Sequence, residues 1–149
     1  MKPRINFLRV SPRALQAMMG LQNYVNDCGL EHSLLELVKM RASQINGCAF
    51  CLNMHSKDSR AAGETEQRLY MLNAWREAPL YSARERAALE WTEALTYLRD
   101  QHVPDHVFAA VREQFSEEEI VNLSLAVVAI TGWNQINIGF RTEAVRSAT

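Results

Sequence analysis

The chain has 149 residues, of which 48% are hydrophobic, and it carries a formal net charge of −1 at pH 7. This length suits one domain spanning residues 1–149, and the apolar content is ample for a buried core. The near-zero charge gives no broad attraction to nucleic acid or to an anionic lipid surface, so neither is expected as a partner. No low-complexity tract or internal repeat divides the sequence.

Helical periodicity recurs along the chain, and no convincing run of alternating polar and apolar residues predicts a strand. In chain order the pattern predicts about seven helices, over residues 12–28, 33–46, 48–62, 66–78, 82–101, from 104 onward, and from 116 nearly to the C-terminus. Glycines that suit C-terminal caps and serine–glutamate pairs spaced as capping boxes mark their ends. These are Gly29, Gly47 and Gly63, and Ser33 with Glu36, Ser82 with Glu85 and Ser116 with Glu119. We therefore expect an all-α fold, a bundle of short-connected helices.

The last predicted helix contains a stretch, residues 120–140, that has no charged side chain and is long enough to cross a bilayer. Polar side chains interrupt it, among them Asn122, Asn134 and Asn137, and such groups are costly in lipid. A helix in the core or at an interface is the better interpretation. Gly132 either weakens this helix locally or lets a neighbour approach closely. Since the basic N-terminus also lacks an apolar signal core, we expect a soluble, cytoplasmic protein with no membrane partner.

The chain has three cysteines, Cys28, Cys48 and Cys51. An odd number without an export signal argues against a structural disulfide framework. A close pair in a reducing compartment is more often redox-active or metal-binding. Cys28 shows no partner pattern, and we expect it to be buried in the first helix.

Cys48 and Cys51 open the third predicted helix, and His55 lies one turn further along the same face. A helix N-terminus stabilises a thiolate through its unpaired N–H groups and its positive dipole end. Residues three apart on a helix lie about 5–6 Å apart at Cβ, so a disulfide needs only modest adjustment. A histidine at this place can take or give a proton near neutral pH. Helix position favours Cys48 as the thiolate and the spacing to His55 favours Cys51, so residue chemistry alone leaves the nucleophile open.

Glu36 is the fourth candidate site residue. It lies eleven residues before Gly47, and His55 lies eight residues after that glycine. Because antiparallel neighbours place residues at similar distances from their turn side by side, we expect Glu36 beside His55, where it can orient the imidazole or complete a proton relay. Three simpler interpretations stay open: Glu36 as only the acid of a capping box, His55 as a surface residue, and the cysteines as small buried residues. A zinc site, with Glu36 or His32 as the fourth ligand, is a further alternative.

The run formed by Glu36, Cys48, Cys51 and His55 resembles the signature of the alkyl hydroperoxidase D family, within the carboxymuconolactone decarboxylase-like superfamily. The flanking sequence is similar to the CxxC-bearing branch of that family over residues 35–141, in the stretches MRASQINGCAFCLNMHSKDSRAAGETEQRLY, AWREAPLYSARERAALEWTEALT and TGWNQINIGFR. One departure is Phe50, because peroxidases of the family often carry a histidine there. The relay is then shorter, which predicts a weaker activity or a different substrate.

The resemblance implies an all-α homo-oligomer, commonly a trimer or a hexamer, that reduces organic hydroperoxides or hydrogen peroxide. In that pattern Cys51 attacks the peroxide, Cys48 resolves the sulfenic acid as a disulfide, and His55 with Glu36 forms the proton relay. A dithiol partner, such as a lipoylated protein, then reduces the pair, and no metal, flavin or haem cofactor is needed. We expect Cys48 to be the more accessible sulfur and to meet this reductant. Two other functions stay open: a decarboxylase of the same fold, which the Cys pair disfavours, and a non-catalytic assembly module using the uncharged helix and Trp133.

Overall fold

The computed structural model describes residues 1–145, and over this range the chain is helical throughout, with nine α-helices, one 3-10 turn and no strand. The helices are α1 (Phe7–Val10), α2 (Pro12–Asn26), α3 (His32–Asn46), α4 (Ala49–Ala61), α5 (Glu66–Tyr70), α6 (Ala83–Thr96), α7 (Leu98–Gln101), α8 (Asp105–Gln114) and α9 (Glu117–Phe140), and the 3-10 turn is Leu72–Ala74. The expectation of an all-α fold is confirmed, whereas a count of about seven helices is too low. The predicted domain over 1–149 includes residues 146–149, which lie outside the described residues.

The additional helices have local explanations. α1 has four residues, too few to show a helical period in the sequence, and the Asn6 side chain caps it by accepting a hydrogen bond from the backbone N–H of Arg9. The predicted helix over 82–101 breaks at Tyr97, after which the chain restarts as α7. The segment over 66–78 forms only the short α5 and the 3-10 turn.

Two of the three predicted capping boxes are formed. Ser82 and Glu85 exchange side-chain and backbone hydrogen bonds at the start of α6, and Ser116 and Glu119 do the same at the start of α9. The third box is wrong, because α3 begins at His32 with no side-chain cap. The Glu36 side chain instead turns towards α4, where its contacts define the candidate site.

α3 lies at the centre of the bundle, against α4, α6 and α9. Leu35 and Val38 belong to one cluster of buried apolar side chains, together with residues of α6, α8 and α9. Leu37 and Met40 belong to a second cluster, which includes Trp75 and the residues around the 3-10 turn. Because α3 is packed on both sides, it is a rigid base for the side chains that it presents to α4.

α9 is long and apolar enough to cross a membrane by length and composition. Two of its polar side chains, however, have partners inside the protein, since Asn122 accepts a hydrogen bond of 2.8 Å from the Tyr24 hydroxyl and Asn134 donates one of 3.0 Å to the Ser43 hydroxyl. Such pairing is what a core helix needs. Gly132 permits close packing on α2, because a Cβ there would lie 3.1 Å from the Met18 methyl carbon. These contacts agree with the interpretation of this segment as a helix in the core or at an interface.

α3 and α4 form the hairpin that carries the candidate site. α3 ends at Gly47, whose φ of 67° lies in the left-handed region that favours glycine. The backbone N–H of Cys48 bonds the carbonyl of Ser43 at 3.1 Å, which closes the end of α3. Cys48 is then the N-cap of α4, so the turn itself sets the first cysteine at a helix N-terminus.

Candidate active site

Cys48 and Cys51 are joined as a disulfide, with their Cα atoms 5.3 Å apart. As the N-cap residue, Cys48 accepts a hydrogen bond of 3.3 Å on its Sγ from the backbone N–H of Cys51. Each cysteine is only 1% exposed. The expectation that Cys48 is the more accessible sulfur is therefore wrong, because both residues are buried to the same extent.

An apolar cavity of about 340 Å³ reaches one of these cysteines. Cys51 and His55 are part of its wall, whereas Cys48 is not. The apolar part of the wall comes from α1, α2, α4 and α9 and consists of Phe7, Leu8, Leu15, Met19, Phe50, Met54 and Trp133. A small apolar molecule in this cavity would therefore meet the sulfur of Cys51 first.

His55 lies one turn beyond Cys51 on α4 and is 8% exposed, so the interpretation of it as a surface residue is wrong. Its Nδ1 lies 3.4 Å from Oε2 of Glu36. This contact is long and poorly aligned, and among residues 1–145 Nδ1 has no hydrogen-bond partner. The spacing argument from the α3–α4 hairpin thus places the two residues side by side, at a distance that a small side-chain rotation converts into a hydrogen bond.

Glu36 is a partly buried carboxylate held by a lysine. Lys39 Nζ donates a hydrogen bond of 2.7 Å to Oε1 of Glu36, and the Ser59 hydroxyl donates a longer one of 3.4 Å to Oε2. Burial by itself would raise the pKa of Glu36, but His55 and Lys39 more than offset that and hold the pKa at about 2. Lys39 makes the stronger of the two contacts, since 2.7 Å is a full charge-assisted bond. Glu36 is therefore ionised at neutral pH and available to an imidazolium.

A second cavity, of about 440 Å³, reaches Glu36 from the other side. Several polar side chains contribute to its wall, among them His32, Asp58, Ser59 and Glu64. His55 lines the apolar cavity and Glu36 lines the polar one. The two neighbouring side chains thus connect two cavities, which is an arrangement that suits a proton relay.

Besides Ser59, two further residues contact the candidate groups, and the sequence reasoning missed all three. Lys39 has a sequence signal, because it stands three residues after Glu36 on the same helix. Asn137 has none, because it approaches Cys51 from α9 across 86 positions of sequence. Its Nδ2 lies 3.8 Å from Cys51 Sγ.

The remaining candidates lie apart from this centre. Cys28 is a free, partly buried thiol that packs against the first core cluster. His32 is exposed at the start of α3. Within residues 1–145 no group of three or more His, Cys, Asp and Glu side chains is arranged to hold a metal ion. The zinc alternative therefore lacks a ligand set in this part of the chain.

Comparison with known proteins identifies the family. The sequence profile of the carboxymuconolactone decarboxylase family matches residues 12–94, more than half of the chain. The chain belongs to the carboxymuconolactone decarboxylase family. The chain is also 41% identical over 144 residues to the uncharacterized protein YdfG of Bacillus subtilis (strain 168), and the match covers 97% of this chain and 98% of YdfG.

Solved structures indicate which branch of the carboxymuconolactone decarboxylase family the chain resembles. A protein of unknown function from Agrobacterium tumefaciens, with the suggested identity of an antioxidant defence protein AhpD, is 47% identical, with a TM-score of 0.94 over 97% of this chain and 99% of that chain. The resemblance to the alkyl hydroperoxidase D family is confirmed. The debrominase Bmp8 shares the fold alone, with 18% identity and a TM-score of 0.77 over 91% of this chain and 73% of that chain.

Proposed function

We propose that this protein is a thiol peroxidase that reduces organic hydroperoxides, or hydrogen peroxide, through a dithiol–disulfide cycle of Cys51 and Cys48. The observation that carries the proposal is the position of Cys51, which is disulfide-bonded to Cys48 and shares the wall of an apolar cavity with His55. A cysteine that only packed a core would need neither the cavity nor the partly buried carboxylate behind the histidine.

The first half of the cycle oxidises the pair. His55, backed by ionised Glu36, takes the proton of the Cys51 thiol. The thiolate attacks one peroxide oxygen and the O–O bond breaks, which gives Cys51 sulfenic acid and, after protonation by His55, an alcohol or water. The Cys48 thiol then attacks the sulfenic sulfur, forms the disulfide and releases one water molecule.

The second half needs a dithiol that can enter the cavity. Because Cys51 lines the cavity and Cys48 does not, the incoming thiolate attacks Cys51 Sγ and displaces Cys48 as a thiolate. The backbone N–H of Cys51 already bonds Cys48 Sγ at 3.3 Å, which stabilises this leaving group. The second thiol of the partner then attacks the mixed disulfide, releases Cys51 and leaves as a disulfide. A long, thin dithiol arm, such as the lipoyl group of a lipoylated protein, fits this access route.

We further propose a cytoplasmic homo-oligomer, a trimer or a hexamer. Exposed apolar side chains on α9 support an interface there, since Val121 is 59% and Val128 is 55% exposed. Molar mass by light scattering tests the assembly. A monomer at all concentrations would contradict it without affecting the proposed chemistry.

Peroxide-dependent loss of thiols tests the function. Reduced protein is mixed with a small excess of cumene hydroperoxide, and free thiols are counted in the wild type and in the Cys48→Ser and Cys51→Ser variants. The peroxidase proposal expects two thiols lost in the wild type and a trapped sulfenic acid on Cys51 in Cys48→Ser. Sulfenic acid trapped on Cys48 in Cys51→Ser instead would keep the enzyme and exchange the two roles.

No loss of thiols in the wild type would reject the peroxidase. The remaining alternatives are then a decarboxylase-like enzyme of the same fold or a non-catalytic assembly module. Cys28 provides the internal control, because a free thiol that packs against the core should be retained throughout the titration.

A further inference from the structure

Asn137 is a buried polar side chain on an otherwise largely apolar stretch of α9. It is 5% exposed and lines the cavity that Cys51 also lines. Its Nδ2 donates a hydrogen bond of 2.9 Å to the backbone carbonyl of Trp133. The same Nδ2 lies 3.8 Å from Cys51 Sγ, within reach of a hydrogen bond to sulfur.

The carbonyl of Trp133 fixes the orientation of this amide. A carbonyl oxygen only accepts hydrogen bonds, so the NH₂ group of Asn137, and not its oxygen, must lie on that side. The amide nitrogen has two hydrogens. One is used by Trp133 and the second is left for Cys51 Sγ.

The two sulfurs of the pair therefore have different donors. Cys48 Sγ accepts the backbone N–H of Cys51 at the start of α4. Over the part of the chain that the structure describes, Asn137 is the one side chain that donates to Cys51 Sγ. A thiolate on a residue that is 1% exposed has little water to solvate it, so this donor matters for its charge.

We infer that Asn137 is a catalytic residue, which donates a hydrogen bond to the Cys51 thiolate, lowers the pKa of that thiol and aims its sulfur at the cavity. The inference rests on the proposed function, in which Cys51 is the nucleophile. Asn137 thus supplies Cys51 with a hydrogen-bond donor that Phe50 cannot supply, since Phe50 forms part of the apolar wall. His55 then acts on a thiol whose charged form is already favoured.

Other groups around Cys51 also influence its ionisation. Cys48 and His55 lie on the same helix, α4. Lys39 and Glu36 face the site from α3, and the cavity residues contributed by α1, α2 and α9 are uncharged. Substitution of Asn137 therefore removes a hydrogen bond and leaves every charge in place, which makes its effect separable from theirs.

The pH dependence of Cys51 alkylation tests the inference without any peroxide. Reduced full-length protein in a Cys48→Ser background is treated with iodoacetamide across the pH range, and the labelling of Cys51 is followed by peptide mass spectrometry. With Asn137→Ala the midpoint should rise by about one pH unit or more, because a bond to a charged acceptor is lost. At a fixed pH below the midpoint, a rise of one unit makes the alkylation of Cys51 roughly tenfold slower, while the plateau rate at high pH stays unchanged.

A second variant guards against a purely structural explanation. Asn137→Ser keeps a donor for the Trp133 carbonyl, since a serine can bond the carbonyl four residues back, as Ser124 does to Ile120 at 2.7 Å. The serine is too short to reach Cys51, so it should shift the midpoint as Asn137→Ala does. Asn53→Ala is the matched control, because the Asn53 side chain bonds only the carbonyl of Ala144 among residues 1–145.

Identical alkylation profiles for Asn137→Ser and the Cys48→Ser parent, with helical content preserved, would overturn the inference. A shifted midpoint in Asn53→Ala of the same size would overturn it as well. Because alkylation reads the thiol itself, a shifted midpoint in Asn137→Ser supports the inference even where the peroxide titration fails.

Discussion

The ionised state of Glu36 can be tested through the stability of the protein in acid, by the substitution Glu36→Gln. The folded protein holds the pKa of Glu36 at about 2, against an ordinary value of 4.5. A group with a lowered pKa in the folded state stabilises the protein above its unfolded pKa and loses that stabilisation as the pH falls through its folded pKa. The relevant window therefore lies between pH 4.5 and about 2.

The difference between the unfolded and the folded pKa of Glu36 corresponds to about 3 kcal/mol of unfolding free energy, at about 1.4 kcal/mol per pKa unit, and this value is an upper bound. The side chain of Glu36 is 15% exposed, so residual screening reduces the effect. Between pH 6 and pH 3, before Glu36 is fully protonated, we expect about 1–2 kcal/mol of its contribution to be lost. Glu36→Gln cannot lose this contribution, so its free energy of unfolding should fall less over the same interval.

The assay is urea unfolding followed by circular dichroism at pH 6 and pH 3, on the wild type and on Glu36→Gln. Arg84 lowers the pKa of Glu31 and of Glu119, but these residues act equally in both proteins and cancel. Glu113→Gln, at an exposed position of α8, is the matched control and should follow the wild type. Parallel pH dependences for wild type and Glu36→Gln would refute a partly buried carboxylate held ionised by Lys39 and His55.

Three further substitutions test the site and its support. His55→Gln should slow the reaction of Cys51 with peroxide about 100-fold at pH 7 in stopped-flow, because the proton acceptor is lost, and an unchanged rate would remove His55 from the relay. Gly47→Ala should lower the free energy of unfolding in urea by about 1–2 kcal/mol, because alanine is strained at φ 67° although its Cβ meets no steric clash. A free energy of unfolding equal to that of the wild type would contradict this. Asn134→Ala should lower the free energy of unfolding by about 1–3 kcal/mol, because Ser43 and Asn46 lose their hydrogen-bond partner. Unchanged stability would mean that water replaces the Asn134 amide.

The hairpin that carries the site could be predicted because its signals are local. Gly47 ends α3, Cys48 caps α4, and the similar spacing about that turn brings Glu36 beside His55. Each of these depends on backbone conformation within a few residues. The capping boxes at Ser82 and Ser116 are predictable for the same reason. The one at Ser33 failed because α3 already begins at His32 and the Glu36 carboxylate bonds Lys39 instead.

The cavity could not be predicted, because distant segments build it. Phe7 reaches it from a helix of four residues, held by ring contacts of 6.5 Å to Trp133 and 6.1 Å to Phe140. Asn137 reaches Cys51 from the far end of the sequence. The burial of Cys48 also depends on packing across the hairpin. Such contacts leave no period or spacing in the sequence.

The difference between the locally encoded hairpin and the cavity built by distant segments bears on substrate choice. The family profile covers residues 12–94, which include the hairpin with Glu36, both cysteines and His55. Phe7, Trp133 and Asn137, which wall the cavity from α1 and α9, lie outside that range. Four of the seven apolar wall residues, Leu15, Met19, Phe50 and Met54, lie inside that range, so the profile covers the hairpin and part of the cavity wall. Under the proposed function, proteins that share the hairpin can therefore differ in substrate through the part of the wall that α1 and α9 supply.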